Sequence, residues 1–151
     1  MFARVKIISI FTNANYYPIF VNDPGNEKIV IPECVEIFIR NGIVYVVYED
    51  GVEVGIELIK DLHTACLRIT DGKKMPFLFT TKGSFWISND AREYARKIEL
   101  DQPFAAVANW APSLGVRLLA EFYGKFFKPE HPYRVFGTEE EAHEWLMTFD
   151  R

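Results

Sequence analysis

The feature that most constrains this chain is an uninterrupted apolar run, Ile43-Val44-Tyr45-Val46-Val47-Tyr48, entered through Asn41-Gly42. A strand with polar residues at alternate positions can leave one face to water. This one cannot, so both of its faces must be covered. Just before it, Val35, Ile37 and Ile39 alternate with Glu36, Phe38 and Arg40. Asn-Gly between two β-rich runs favours a type I′ turn, whose twist matches the strands it joins. The pair predicts an antiparallel hairpin whose second strand lies inside a sheet.

The cover for that sheet is readable further along. Asp50 and Glu53 stand at capping-box spacing, and Leu58, Leu62, Ala65, Cys66 and Ile69 recur every three or four residues, predicting a helix over 53–69. Asp71-Gly72 ends it, glycine taking the left-handed position. Residues 75–79 predict a short strand containing Pro76, a residue acceptable at a strand's start, where it need not donate. Ser88 or Asn89 caps a helix to about residue 99, with Ala91, Tyr94, Ala95 and Ile98 on one face. The run 104–108 has small side chains that suit a buried strand crossed closely by helices. Pro112 fits the first turn of a helix whose apolar side is read as Leu114, Leu118, Leu119, Phe122, Phe126 and Phe127. A last strand over 133–136 precedes Thr138 and Glu141, a clear capping box, and a helix with Ala142, Trp145, Leu146 and Phe149 facing inward.

The order is strand–strand–helix, then strand–helix three times. It predicts an α/β fold with a mixed sheet, an antiparallel hairpin followed by largely parallel strands, packed against about four helices. Ahead of it, 5–11, 19–21 and 28–31 read as strands, the last two flanking a turn at Asp23-Pro24-Gly25-Asn26. Residues 1–33 are thus read as a β-rich extension packed on the same domain as 34–151. With 151 residues, 49% of them apolar, one domain is expected.

Charge narrows the function. The net charge is −4, divided evenly about residue 75, so neither half has the basic surplus that drives nucleic-acid binding. Cys34 and Cys66 are the only cysteines, read as small buried hydrophobes of a reducing compartment. No apolar run suits a signal peptide or approaches the roughly 20 residues of a membrane span. A cytoplasmic protein without a transmembrane segment is the expectation.

Each candidate for chemistry has a plainer explanation. His63 and Cys66 are three apart on a helix, but a metal needs more converging donors and a nucleophilic thiolate needs exposure. His131 and His143 stand in no metal-ligand spacing. No Gly-x-Ser-x-Gly elbow occurs; Ser88 and Ser113 are read as helix starts. Thr81-Lys82-Gly83-Ser84 has too few glycines for a phosphate loop and reads as a connection, with an anion nest as the alternative. Glu139, Glu140, Glu141 and Glu144 crowd the start of a helix, where the dipole favours acids. Arg92 and Arg96 read as a solvated face. No catalytic residue, metal site or cofactor is expected. Trp86, in the loop after the 75–80 strand, and Trp110, at the end of the 104–108 strand, lie near carboxyl edges of parallel strands, where open α/β sheets place ligand crevices. With Tyr123 they form the candidate ligand or partner surface.

The passages Asp71-Gly72-Lys73-Lys74-Met75-Pro76-Phe77-Leu78, Ser88-Asn89-Asp90-Ala91-Arg92-Glu93-Tyr94, Phe126-Phe127-Lys128-Pro129, Pro132-Tyr133-Arg134-Val135-Phe136 and Thr138-Glu139-Glu140-Glu141-Ala142-His143-Glu144-Trp145-Leu146 resemble a bacterial family of small uncharacterised STAS/SEC14-like domains. The likeness covers about residues 35–149 and implies a SpoIIAA-like fold. Relatives of the broader STAS fold act as regulatory modules, some through phosphorylation near the second helix start. The matching acceptor position falls on Asn89, and Ser88 stands where an acid precedes it. Ser88 is therefore the candidate phosphate acceptor, at a helix N-terminus where added negative charge is favourable.

The leading expectation is a non-enzymatic regulatory or protein-interaction domain, with a protein partner or a second copy of itself. The alternatives are a small apolar-ligand or lipid-binding domain and an uncharacterised hydrolase or transferase.

Overall fold

The computed structural model describes residues 6–9, 19–23 and 26–149, with side chains from Glu27 to Phe149. The chain runs β1 (Lys6–Ser9), β2 (Ile19–Asp23), β3 (Asn26–Ile31), β4 (Val35–Arg40), β5 (Ile43–Tyr48), β6 (Val52–Val54) and α1 (Ile56–Thr70). It continues through β7 (Met75–Thr81), β8 (Phe85–Ile87), α2 (Asn89–Lys97), a 3-10 turn (Glu99–Asp101), β9 (Phe104–Trp110), α3 (Leu114–Phe127), β10 (Tyr133–Phe136) and α4 (Glu139–Met147). Eight strands form one sheet in the order β1-β2-β3-β4-β5-β7-β9-β10, and β6 and β8 form a small parallel pair beside it. From β1 to β5 the sheet is an antiparallel meander, whereas β5, β7, β9 and β10 run parallel. Parallel neighbours need a crossover, and α1, α2 and α3 supply them. The fold is the mixed α/β architecture expected from the sequence.

β5 carries out what its composition demands. Val44, Val46 and Tyr48 enter one core with Ile37, Leu58 and Phe77, while Ile43 and Tyr45 enter the other with Leu78, Ala108 and Leu146. Asn41 (φ 52°) and Gly42 (φ 77°) both take the positive φ that a type I′ turn requires. On the N-terminal side β3 pairs with β4, and Ile29 and Ile31 are fully buried in the first core. The Asp23↔Asn26 pairing brackets a two-residue connection. Pro24 and Gly25 themselves, like residues 5, 10 and 11 of the first expected strand, lie outside the described residues.

Three local expectations are corrected. The helix expected from residue 53 starts at Ile56, with Gly55 as a cap that makes no side-chain hydrogen bond. Asp50 is diverted, because its Oδ1 accepts from the Ser84 amide (2.8 Å) and hydroxyl (3.3 Å). Val52 and Val54, alternating with exposed Glu53, go into β6 instead. Trp86, expected in a loop, lies in β8 opposite Glu53.

The third correction concerns α3. Leu114, Leu118, Phe122 and Phe126, expected to face inward, are 71%, 57%, 45% and 69% exposed. Four-residue steps drift about 40° around a helix, so the apolar residues of α3 cover too wide an arc for one contact. The opposite stripe is the one seated. The Tyr133 hydroxyl donates to the Ala120 carbonyl (2.8 Å). A Cβ on Gly124 would lie 2.8 Å from the Tyr133 ring, so only glycine lets helix and ring approach this closely.

Candidate ligand-binding site

The two sides of the sheet are filled differently. On one, α4 lies across Ala106 and Ala108, whose small side chains admit it closely, and Ala142 and Leu146 are fully buried. On the other, α1 lies over β3 and β4 with α2 packed beside it, and α3 stands over β10. Between these two helical groups lies a cavity of about 160 Å³. An apolar cavity of roughly 150 Å³ is known to hold benzene.

Sheet residues Phe79, Phe104 and Val107 line the cavity together with Leu62 and Cys66 of α1 and Ala95 of α2. Leu119, Ala120, Phe122 and Tyr123 of α3 close it. The aromatic floor is held by mutual packing: the Phe104 ring meets Phe77 edge-on at 4.7 Å and Phe79 at 5.8 Å. Burial pushes the Cys66 thiol up to about 12, so it is a neutral thiol at physiological pH and no nucleophile. Cys34 is likewise buried and raised, by burial and then by Glu33.

One end of the cavity is polar. The 3-10 turn places Glu99 and Gln102 three residues apart, a spacing at which side chains fall on the same side; both line the cavity, as does His131. His131 Nδ1 lies 2.9 Å from Glu99 Oε1, which also accepts from the Glu130 amide (2.7 Å). The His131 ring stands edge-on to Phe104 at 5.2 Å. Burial and then the Lys74 ammonium lower His131 to about 4. At neutral pH this contact is therefore a hydrogen bond from a neutral imidazole, Nδ1–H donating to the carboxylate. Gln102 Oε1 is engaged by His63 Nδ1 (2.9 Å). The Tyr123 hydroxyl is raised by burial and by Glu99, and that of Tyr133 by burial and by Tyr123. His131 and Tyr133 also line a more open cleft of about 480 Å³ bordered by Lys125, Lys128 and Arg134.

The residues singled out from sequence divide among these places. Tyr123 lines the cavity; Trp86, 62% exposed, and Trp110, packed on the α4 side, do not. The two tryptophans do not converge on one site. Ser88 caps α2, its hydroxyl oxygen accepting from the Ala91 amide (3.1 Å), and Ser113 caps α3 in the same way through Val116 (3.3 Å). Arg92 lines the cavity while Arg96 is exposed. Around Thr81–Ser84, Lys82 pairs with Glu49 (2.7 Å) and Asp50 takes the Ser84 amide, so the loop's donors are already used. Among the described residues no three of His, Cys, Asp and Glu come together as a metal site, and no helix is long and apolar enough to cross a membrane. The Glu99–His131 pair was not foreseen; 32 residues separate its members, and no motif links them.

The sheet and its helices form a SpoIIAA-like α/β domain. Residues 37–150 match a family described as a domain of unknown function, DUF7793, and the chain belongs to that family. Its fold is similar to that of an uncharacterized protein of the DUF3478 family from Shewanella loihica PV-4, which has a SpoIIAA-like fold. The two share 17% identity with a TM-score of 0.50, over 74% of this chain and 91% of the other. No curated protein matches the sequence.

Proposed function

We propose that the domain binds a small, largely apolar molecule in the cavity between α1–α2 and α3, without transforming it. One observation carries this reading: the cavity is lined by aromatic and aliphatic side chains, closed by a helix with no fully buried residue, and furnished with polar groups at one end. That is the ordinary anatomy of a small-molecule site. The thiol that reaches it is held neutral, and no serine lines it, which disfavours the hydrolase or transferase alternative. Saturation-transfer NMR with toluene as probe tests the reading. Toluene is expected to bind the full chain and to lose binding in Ala120→Leu, where the added side chain occupies the space. Absence of binding, or binding that survives the substitution, overturns it.

The regulatory or protein-interaction reading has its own support in the exposed row Leu114, Leu118, Phe122 and Phe126 on α3. A row of that kind suits a protein partner or a second copy. Light scattering of the full chain beside Leu118→Glu tests the second-copy form: a dimer that the substitution dissolves supports it, and a monomer in both removes it. Two buried, unbonded cysteines fit a reducing compartment, the cytoplasm being our proposed location.

A further inference from the structure

The polar end of the cavity has a composition that selects among apolar ligands. We propose that His131, oriented by Glu99 and assisted by Gln102, recognises a single neutral hydroxyl on a benzene-sized ligand and disfavours a carboxylate in its place. This rests on the apolar-ligand reading above and adds the chemistry of the ligand's one polar group.

The argument begins with the tautomer. Glu99 Oε1, fixed by the Glu130 amide, takes the proton side of Nδ1 at 2.9 Å. The ring nitrogen left for a ligand is then Nε2, an acceptor. Gln102 offers the complement: with Oε1 engaged by His63, its amide NH2 remains to donate. An acceptor and a donor at one end of an apolar cavity match a hydroxyl, which gives one hydrogen bond and receives one. A carboxylate can only accept: it would leave Nε2 unpaired and stand beside the Glu99 carboxylate. The Arg92 guanidinium lining the cavity and the Lys74 ammonium near His131 are the charges it would have to draw on instead. An alkyl group would leave both protein groups unpaired, which is how a site built for a hydroxyl rejects its hydrocarbon analogue. The ring is braced for this task, with Phe104 edge-on at 5.2 Å and only 14% of its side chain exposed.

The test compares three probes of one size at pH 7.5 on the full chain: toluene, phenol and benzoate. Phenol is expected to bind about five-fold tighter than toluene, the size of one net neutral hydrogen bond, and benzoate weakest. His131→Phe, which keeps an aromatic ring against Phe104, is expected to erase the phenol preference while leaving toluene bound. A measurement on the unaltered chain needs no variant: the imidazole 15N spectrum should show His131 protonated at Nδ1, with the Nε2 resonance moving on phenol addition and unmoved by toluene. Equal binding of toluene and phenol, benzoate binding tightest, a preference that survives His131→Phe, or an unmoved Nε2 resonance overturns the inference while the cavity reading stands. Failure of all three probes to bind overturns both.

Discussion

α3 and α4 have much in common in sequence and are treated oppositely by the fold. Each follows a parallel strand, each is capped by a hydroxyl (Ser113 on the Val116 amide, Thr138 on the Glu141 amide, both at 3.3 Å), and each carries large apolar residues at helical spacing. Yet Ala142 and Leu146 of α4 are fully buried, while no residue of α3 is. The difference lies in what each helix meets. α4 crosses a strand of small residues, Ala106 and Ala108, and sinks into it. α3 meets the Tyr133 ring through its own Tyr123, 5.8 Å between centroids, and the cavity lies between the helix and the Phe104 ring. Amphipathicity says that a helix will lie on the sheet; the size of the side chains opposite decides whether it closes on it.

That contrast is easiest to break by deletion. Leu146→Ala, emptying a site on the closed side, is expected to cost about 2–5 kcal/mol. Leu118→Ala, on the exposed side of α3, should stay within about 0.5 kcal/mol. Urea unfolding of the two variants compares them directly, and equal losses would show that α3 is seated as firmly as α4. Addition gives the inverse result. Ala108→Leu forces new volume against α4 and is expected to cost about 1–3 kcal/mol. Ala120→Leu has the cavity to enter and should cost well under that in the same urea series, while removing toluene binding.

Such asymmetry also explains what was legible in the sequence. β5 announced its place through six apolar residues in a row, and α4 through Thr138 and a narrow stripe; both signals are local, and the packed structure agrees with them. The apolar side of α3 was misread because Leu114, Leu118, Phe122 and Phe126 are a legitimate stripe by spacing, and nothing local says that Gly124 and Ala120 will be pinned on Tyr133 instead. β6 and β8 are three residues each, too short to give a period, and exist through each other. The cavity was beyond reach for the same reason. It is a space between elements, and its polar end joins Glu99, Gln102 and His131, which meet only when the 3-10 turn comes against the start of β10. Tyr123, which shares a helix end with Phe126 and Phe127, does line the space; Trp86 and Trp110, placed by the sequence near carboxyl edges of parallel strands, do not.

A pH series probes the open side alone. His131 is lowered from an ordinary 6.5 to about 4, so between those values the unfolded chain binds a proton that the folded chain refuses. Stability from this group is fully present above about pH 6.5 and is lost as pH falls toward 4. At about 1.4 kcal/mol per pK unit, and discounted for partial exposure, the loss should be about 1–2 kcal/mol. Urea unfolding at pH 7.5 and 4.5 should show this extra loss in the unaltered chain and not in His131→Phe; parallel slopes would mean that the imidazole is not held neutral by the fold.

The smallest effect concerns α2, which shares the open side with α3 and buries only Ala91. A helix with so little burial leans more on its ends, and Ser88 satisfies the Ala91 amide, one of four donors at its start without an intrahelical partner. Ser88→Ala is expected to lower stability by about 1 kcal/mol, whereas Ser88→Asp, which keeps a capping oxygen and adds charge at the favourable end of the dipole, should hold it level or raise it slightly. Thermal unfolding of the pair separates the two roles assigned to this serine. If Ser88→Ala is silent, the cap is not what holds α2 in place. If Ser88→Asp destabilises, the charge that phosphorylation would bring is unwelcome there, and Ser88 is no switch of the kind its position suggests.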